Sequence, residues 1–272
     1  MPSETLDKNE AIKSLVRTAV ESYATGFHAR HEGEVENPEG TLNMKIHNVF
    51  IAALGSDIQY YSALVRSLDS SLGNMLEKLA INIAKFSYDV ESEVQGPLGP
   101  EQTSKIAELL EKYKRREITP PTVNDYQSLR TKPQDGTLTV KRHDSDYYLI
   151  DRETGENFLV ELKMGGDLDN KKARSEKEAL LEQFAILSNT LPEDQKVRIF
   201  FATAYNRYGE DRPWRQERVK QFFANEELLI GRDFWNFVCK SDDGYTTVLE
   251  SYKENAHLIT TTLDSIKQMY LD

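Results

Sequence analysis

The chain holds a single cysteine, Cys239, among 272 residues. No internal disulfide can form, which excludes a bridged secreted scaffold and points to a reducing cytoplasm. The thiol sits in the apolar run Phe234, Trp235, Phe237 and Val238 and reads as a buried core group. Long apolar runs are also missing. None approaches the ~20 residues that span a bilayer, and the polar start MPSETLDKNE lacks the apolar centre of an export signal. Positive charge is scarce: 34 Lys and Arg stand against 45 Asp and Glu, for a net charge of −11. That excludes a protein that coats nucleic acid through bulk charge, but not one that gathers its basic residues locally. The histidines His28, His31, His47, His143 and His257 are scattered and show no zinc spacing. Internal repeats, low-complexity tracts and clear linkers are absent as well.

What is present is a globular composition, 39% hydrophobic and 10% aromatic, in a chain long enough for one large domain or two small ones. Ile12, Leu15, Val16, Ala19, Val20 and Tyr23 recur at helical spacing over 7–25, and Gly33, Pro38 and Gly40 mark a loop after it. Helices are expected over 57–67, 71–87 and 101–116, with a turn at 95–100. Near 137 the texture changes to short β-forming runs, Leu138–Val140, Tyr147–Ile150 and Phe158–Met164. A helical pattern over 172–189, a buried strand Val197–Thr203 and helices over 213–224 and 245–270 follow. The order implies an α/β layout with a small central mixed β-sheet flanked by helices.

The chemistry concentrates in residues 143–163, where two β-like runs flank the turn material Arg152–Glu156 and predict an antiparallel hairpin. Along the second run, Leu159, Glu161 and Lys163 share one face. With the turn centred on Glu153–Thr154, Asp146 falls opposite Glu161, at a Cβ separation of ~5 Å. Two carboxylates that close repel each other unless a cation lies between them. Oxygen-only ligands suit Mg²⁺, which activates water and polarises a phosphoryl oxygen, and Lys163 would stabilise the charge that builds there. The pattern itself is weak, because a surface hairpin with solvated charges has the same appearance. On the helix over 71–87, Leu72, Leu76, Leu79, Ile83 and Phe86 form the expected core stripe. Glu77 falls off both that stripe and the wet face, beside Ala80, Ile81 and Ala84, where a carboxylate needs a partner. A shared metal or a nearby lysine would each serve.

After Lys163, Gly165–Gly166 gives a permissive backbone. Lys171, Lys172 and Arg174 then stand at the start of a helix whose Ala173, Leu180, Phe184 and Leu187 face inward. They read as a clamp on a DNA backbone or as a solvated helix start. Asp167 and Asp169 read as capping or loop residues. The segment 204–218 carries Asn206, Arg207, Arg212, Arg215, Gln216 and Arg218, residue types that read base edges, but acidic neighbours at Glu210, Asp211 and Glu217 make a self-paired loop equally consistent. His143 is a further candidate phosphate contact, and Phe222, Phe223, Phe234, Trp235 and Phe237 read as core.

Asp146, the Glu161-Leu-Lys163 block on the next strand, and Glu77 on an upstream helix together resemble the PD-(D/E)xK nucleases. Ser145 stands where the family name has proline, a position that varies within that family. The blocks 67–77 and 161–177 resemble type II restriction endonucleases, nearest the ApaLI-like group. The Arg-Pro-Asp-Arg-like block of the enzymes that read CCGG is replaced here by Gly-Gly-Asp-Leu-Asp-Asn. The resemblance spans about 65–240 and implies a restriction-endonuclease-like core, with Glu77, Asp146 and Glu161 as metal ligands for Mg²⁺ and Lys163 as the catalytic lysine. It further implies a prokaryotic homodimer that cuts both strands of a short palindrome in double-stranded DNA, GTGCAC if the ApaLI-like grouping holds, beside a cognate methyltransferase. On this reading the chain is one nuclease domain, with a helical extension over 1–65, a catalytic core over 66–205 and a DNA-recognition and helical part over 206–272. Two alternatives stay open: a repair or recombination nuclease acting on DNA structure or ends, and a non-enzymatic binding module.

Overall fold

A computed structural model describes residues 2–132 and 138–271. The chain divides into two compact units, one of Met1–Ile83 with Thr246–Asp272 and one of Ala84–Tyr245. The first unit is helical. Its long members are α1 (Pro2–Glu34), α3 (Ser56–Ala84) and most of α8 (Gly244–Leu271), with the single turn α2 (Val49–Ala52) between the first two. Ile12, Val16 and Val20 recur every four residues on α1 and are fully buried. Farther along, Phe27, Leu42, Tyr60, Ala63, Leu64 and Ile266 form a small core. His31 is buried among them and bonds Ser67, while its carbonyl accepts from the Tyr270 hydroxyl.

The second unit holds a five-stranded sheet in the order β1 (Tyr88–Leu98), β2 (Thr139–Asp151), β3 (Asn157–Lys163), β4 (Val197–Thr203), β5 (Leu228–Ile230). The first two neighbour pairs are antiparallel and the last two parallel. The parallel β3–β4 step requires a crossover, which α5 (Asn170–Thr190) supplies. α5 and α4 (Pro100–Lys114) pack on one face of the sheet around Leu110, Tyr113, Leu159, Leu181, Phe184, Ile199 and Phe201. Gly96 lets α5 approach, since a Cβ there would lie 2.8 Å from Ile186. The other face carries the Phe158, Phe200 and Phe237 rings, the last from α7 (Arg232–Cys239). Cys239 is fully buried, and no helix among the described residues is long and apolar enough to cross a membrane. The small mixed sheet flanked by helices is the layout the sequence implied.

Several local expectations are corrected. Gly33 lies inside α1, not in a loop. The helices expected over 57–67 and 71–87 are one helix, in which Ser71 turns back on the helix's own backbone: its Oγ donates to the carbonyl of Ser67 at 2.7 Å. The turn expected at 95–100 is the end of β1, an edge strand too charged to show strand alternation. Helix α6 covers only Glu217–Lys220 of the expected 213–224, and β5 was not foreseen. Phe86 is 42% exposed rather than core, because α3 ends at Ala84 and the helical period stops with it. The buried face of that stretch is Met75, Leu79, Ala80, Ile83 and Ala84.

Candidate active site

The turn that joins β2 to β3 is held by Asp151, whose Oδ1 accepts from the amides of Glu153 and Thr154 at 2.8 and 3.0 Å and which also pairs with Lys240 at 2.9 Å. Gly155, at φ +70°, closes the turn. The register that results sets Tyr147 opposite Val160 and Leu149 opposite Phe158. The pairing ends at Tyr147 and Val160, one residue short of Asp146 on β2 and of Glu161 on β3. Toward β1 the pairing skips: Tyr148 faces Glu91 but Asp144 faces Glu93, so three residues of β2 answer one of β1. Such a bulge re-aims the strand at Asp146, a device common beside active sites. The Asp146 side chain lies outside the described residues.

Glu161 and Lys163 lie with Leu159 on the face covered by α5. The Glu161 side chain is 13% exposed and that of Lys163 32% exposed, and the Lys163 ammonium donates to Glu161 Oε1. The same ammonium stands 3.3 Å from Oε1 of Glu176, in the second turn of α5. Glu176 is the residue that sequence reading passed over. A signal existed: it stands three after Ala173 and four before Leu180, on the inward stripe, where a carboxylate is out of place. Deeper on α5, Glu182 binds Lys141 at 2.7 Å and lies 3.0 Å from His143 Nε2. His143 thus faces Glu182 within the sheet-helix layer.

Beyond Lys163 the chain is clamped. Gly166 adopts φ +67°, and a Cβ there would meet Thr203 at 2.7 Å and Trp214 at 2.9 Å, so a side chain is excluded on two counts. Asp167 takes Arg207 at 2.8 Å and the Gln216 amide at 3.2 Å. Their hydrogen bonds hold its carboxyl below the usual aspartate range. Asp169 caps α5 by accepting from the amide of Lys172.

The basic candidates divide by what they already do. Lys171 and Lys172 are exposed at the first turn of α5. Arg174 is engaged by Glu178 at 3.3 Å and Glu111 at 3.9 Å. Asn206 is nearly buried and serves its own loop, donating to the carbonyl of Arg212 and accepting from the amide of Tyr208. Arg207 is held by Asp167, whereas Arg212 and Arg215 are exposed with no ion pair among the described residues. Glu77 is half-buried on α3, in the helical unit.

The acids gathered at the end of β3 are carboxylates, the hard oxygen donors that suit Mg²⁺. Among the described residues, no three of His, Cys, Asp and Glu stand close enough to hold an ion. No curated protein and no solved structure matches the chain. The family model of the type II restriction endonuclease HinfI does match it, over residues 8–256, which takes in the hairpin, α5 and the loop after β4, and the chain belongs to that family.

Proposed function

We propose that this restriction endonuclease is a Mg²⁺-dependent enzyme of the PD-(D/E)xK kind, with Asp146, Glu161 and Glu77 as metal ligands and Lys163 as the catalytic lysine. One observation carries the reading: an ammonium, Lys163, lodged between the carboxylates of Glu161 and Glu176 at the end of a strand whose register leads to Asp146. Mg²⁺ held there would supply Lewis acidity and neutralise phosphate charge. Lys163 would donate to the scissile phosphate or its attacking water, where negative charge grows. Glu161 and Glu176 hold the Lys163 ammonium before substrate arrives, which limits the reorganisation the donor needs.

Lys171, Lys172, Arg212 and Arg215 take the DNA backbone and base edges, and Arg174, Arg207 and Asn206 hold the surfaces that present them. Two copies act on the two strands of a palindromic site in double-stranded DNA, and a cognate methyltransferase protects the host. The family is that of HinfI, so the GTGCAC target of the ApaLI-like resemblance is not carried over. Digestion of a mapped plasmid with Mg²⁺, followed by run-off sequencing of the ends, tests the reading and gives the site. Discrete fragments with one common end sequence are expected. End-trimming without fixed bands would favour a structure-specific nuclease instead. Lys163→Ala should lower cutting by roughly 10²–10³-fold or more with the circular dichroism spectrum unchanged.

A further inference from the structure

Eleven large apolar side chains stand exposed in the described chain, and seven of them fall in one stretch: Met44, Val49, Phe50, Leu54, Ile58, Tyr61 and Val65. Phe50 is 84% exposed and Val49 and Leu54 67% each. The same stretch, residues 44–65, contains only Lys45 and Asp57 from the Asp, Glu, Lys and Arg set, in a chain where that set makes up 29%. Loss of charge together with Met, Phe and Tyr is the composition of an interface centre, not of a solvated surface.

The first half of α3 shows the same in its periodicity. Tyr60, Ala63, Leu64 and Ser67 form its inward stripe, and all are buried. Ile58, Tyr61 and Val65, at i, i+3 and i+7, form a second apolar stripe on the far side, exposed by 48%, 42% and 60%. A helix that is apolar on two sides is a helix covered on two sides. Within the helical unit, nothing among the described residues covers the second one.

We infer that this surface, residues 44–65 of the helical unit, is the face through which two copies of the chain pair. The inference rests on the proposed cutting of a palindrome, since a two-fold symmetric site cut in both strands calls for two catalytic centres related by a two-fold axis. The area fits a second copy. Seven such side chains offer on the order of 600 Å² of apolar surface per chain, close to the ~800 Å² that each partner gives to a standard stable interface. An isologous pair covers the same patch on both copies at once, which no unlike partner does.

Sedimentation of the full chain at micromolar concentration tests this. The wild type should sediment as a particle of twice 31.2 kDa. Phe50→Asp and Val65→Asp, both at solvent-facing positions, should sediment as monomers with unchanged circular dichroism. The milder Tyr61→Ser should weaken the dimer at least ~10-fold, as loss of a central aromatic contact does. Val140→Asp, at a 65% exposed position on β2, should leave the dimer intact. A wild-type monomer, Asp variants that stay dimeric, or a monomer that floats with anionic vesicles overturns the inference. Plasmid cleavage by the same samples separates the two ideas: a dimer that cuts nothing with Mg²⁺ refutes the nuclease mechanism alone, and a monomer that cuts both strands refutes the interface alone.

Discussion

At the scale of single residues, Lys163 and Glu176 carry the proposed chemistry. An ammonium held by two carboxylates has its position set before DNA binds, and removal of one carboxylate loosens it without removing the donor. Glu176→Gln is therefore expected to lower kcat by roughly 10–10²-fold, the order that a small misplacement of a catalytic group produces. DNA affinity should stay near that of the wild type. Single-turnover cleavage beside a binding titration in Ca²⁺ separates the two, and an affinity loss with unchanged kcat would show that Glu176 serves the DNA surface instead. Glu161 and Lys163 were legible in sequence because a strand's two-residue period is strict. Glu176 was not singled out, because its partner lies on another element and only packing brings them to 3.3 Å.

Two elements carry most of the mechanical load around the site, the β2–β3 turn and α5. Burial by itself would push the Asp151 carboxyl up, but bonds from Lys240 and from the Thr154 and Glu153 amides outweigh it and hold the group below its ordinary value. A carboxyl depressed in the folded state adds stability that is complete above its unfolded value near pH ~4 and is lost as pH falls through the folded value. Thermal unfolding followed from pH 7 to pH 3 should show a smaller acid-dependent fall in Asp151→Asn than in wild type. At pH 7 that variant should be less stable by about 1–3 kcal/mol. On α5, Lys177 is fully buried, bound at 2.7 Å by both oxygens of Glu227 and lying over the rings of Tyr126 and Phe223. Lys177→Met leaves the Glu227 charge buried without its cation, for a loss of about 3–5 kcal/mol in urea unfolding, and Lys177→Met with Glu227→Leu should recover most of it. A coupling near zero in that double-mutant cycle would mean that the pair does not act as a unit. The helix around Lys177 was legible from its apolar stripe. That its lysine is internal was not, since sequence periodicity cannot show that the aromatic pocket closes over it.

Across the whole molecule, a net charge of −11 repels DNA at long range. On the proposed reading, binding comes from the basic groups that no acid claims among the described residues, Lys171, Lys172, Arg212 and Arg215 among them. The double variant Arg212→Ala/Arg215→Ala is expected to weaken DNA binding and to flatten the slope of log K against log salt by roughly 2, the value for two lost phosphate contacts. An unchanged slope in filter-binding titrations would remove this loop from the DNA surface. Asn206→Ala should act differently. It frees the loop that Asn206 holds and lowers stability more than it alters the salt slope.

The sequence by itself determined the hairpin, its register and the shared face of Glu161 and Lys163, together with helices α5 and α8, because these depend on local periods of 2 and 3.6 residues and on turn chemistry. Only the tertiary structure decided which charges are already spent. Asp167 claims Arg207, Glu182 claims Lys141 and approaches His143, and Glu176 joins Lys163, and each of these partners is distant in sequence or on another element. It also decided that β1 is an edge strand and that α3 carries a second, uncovered apolar stripe. Period and composition are properties of neighbours along the chain, whereas pairing of charges and covering of faces are settled by which elements the fold brings into contact.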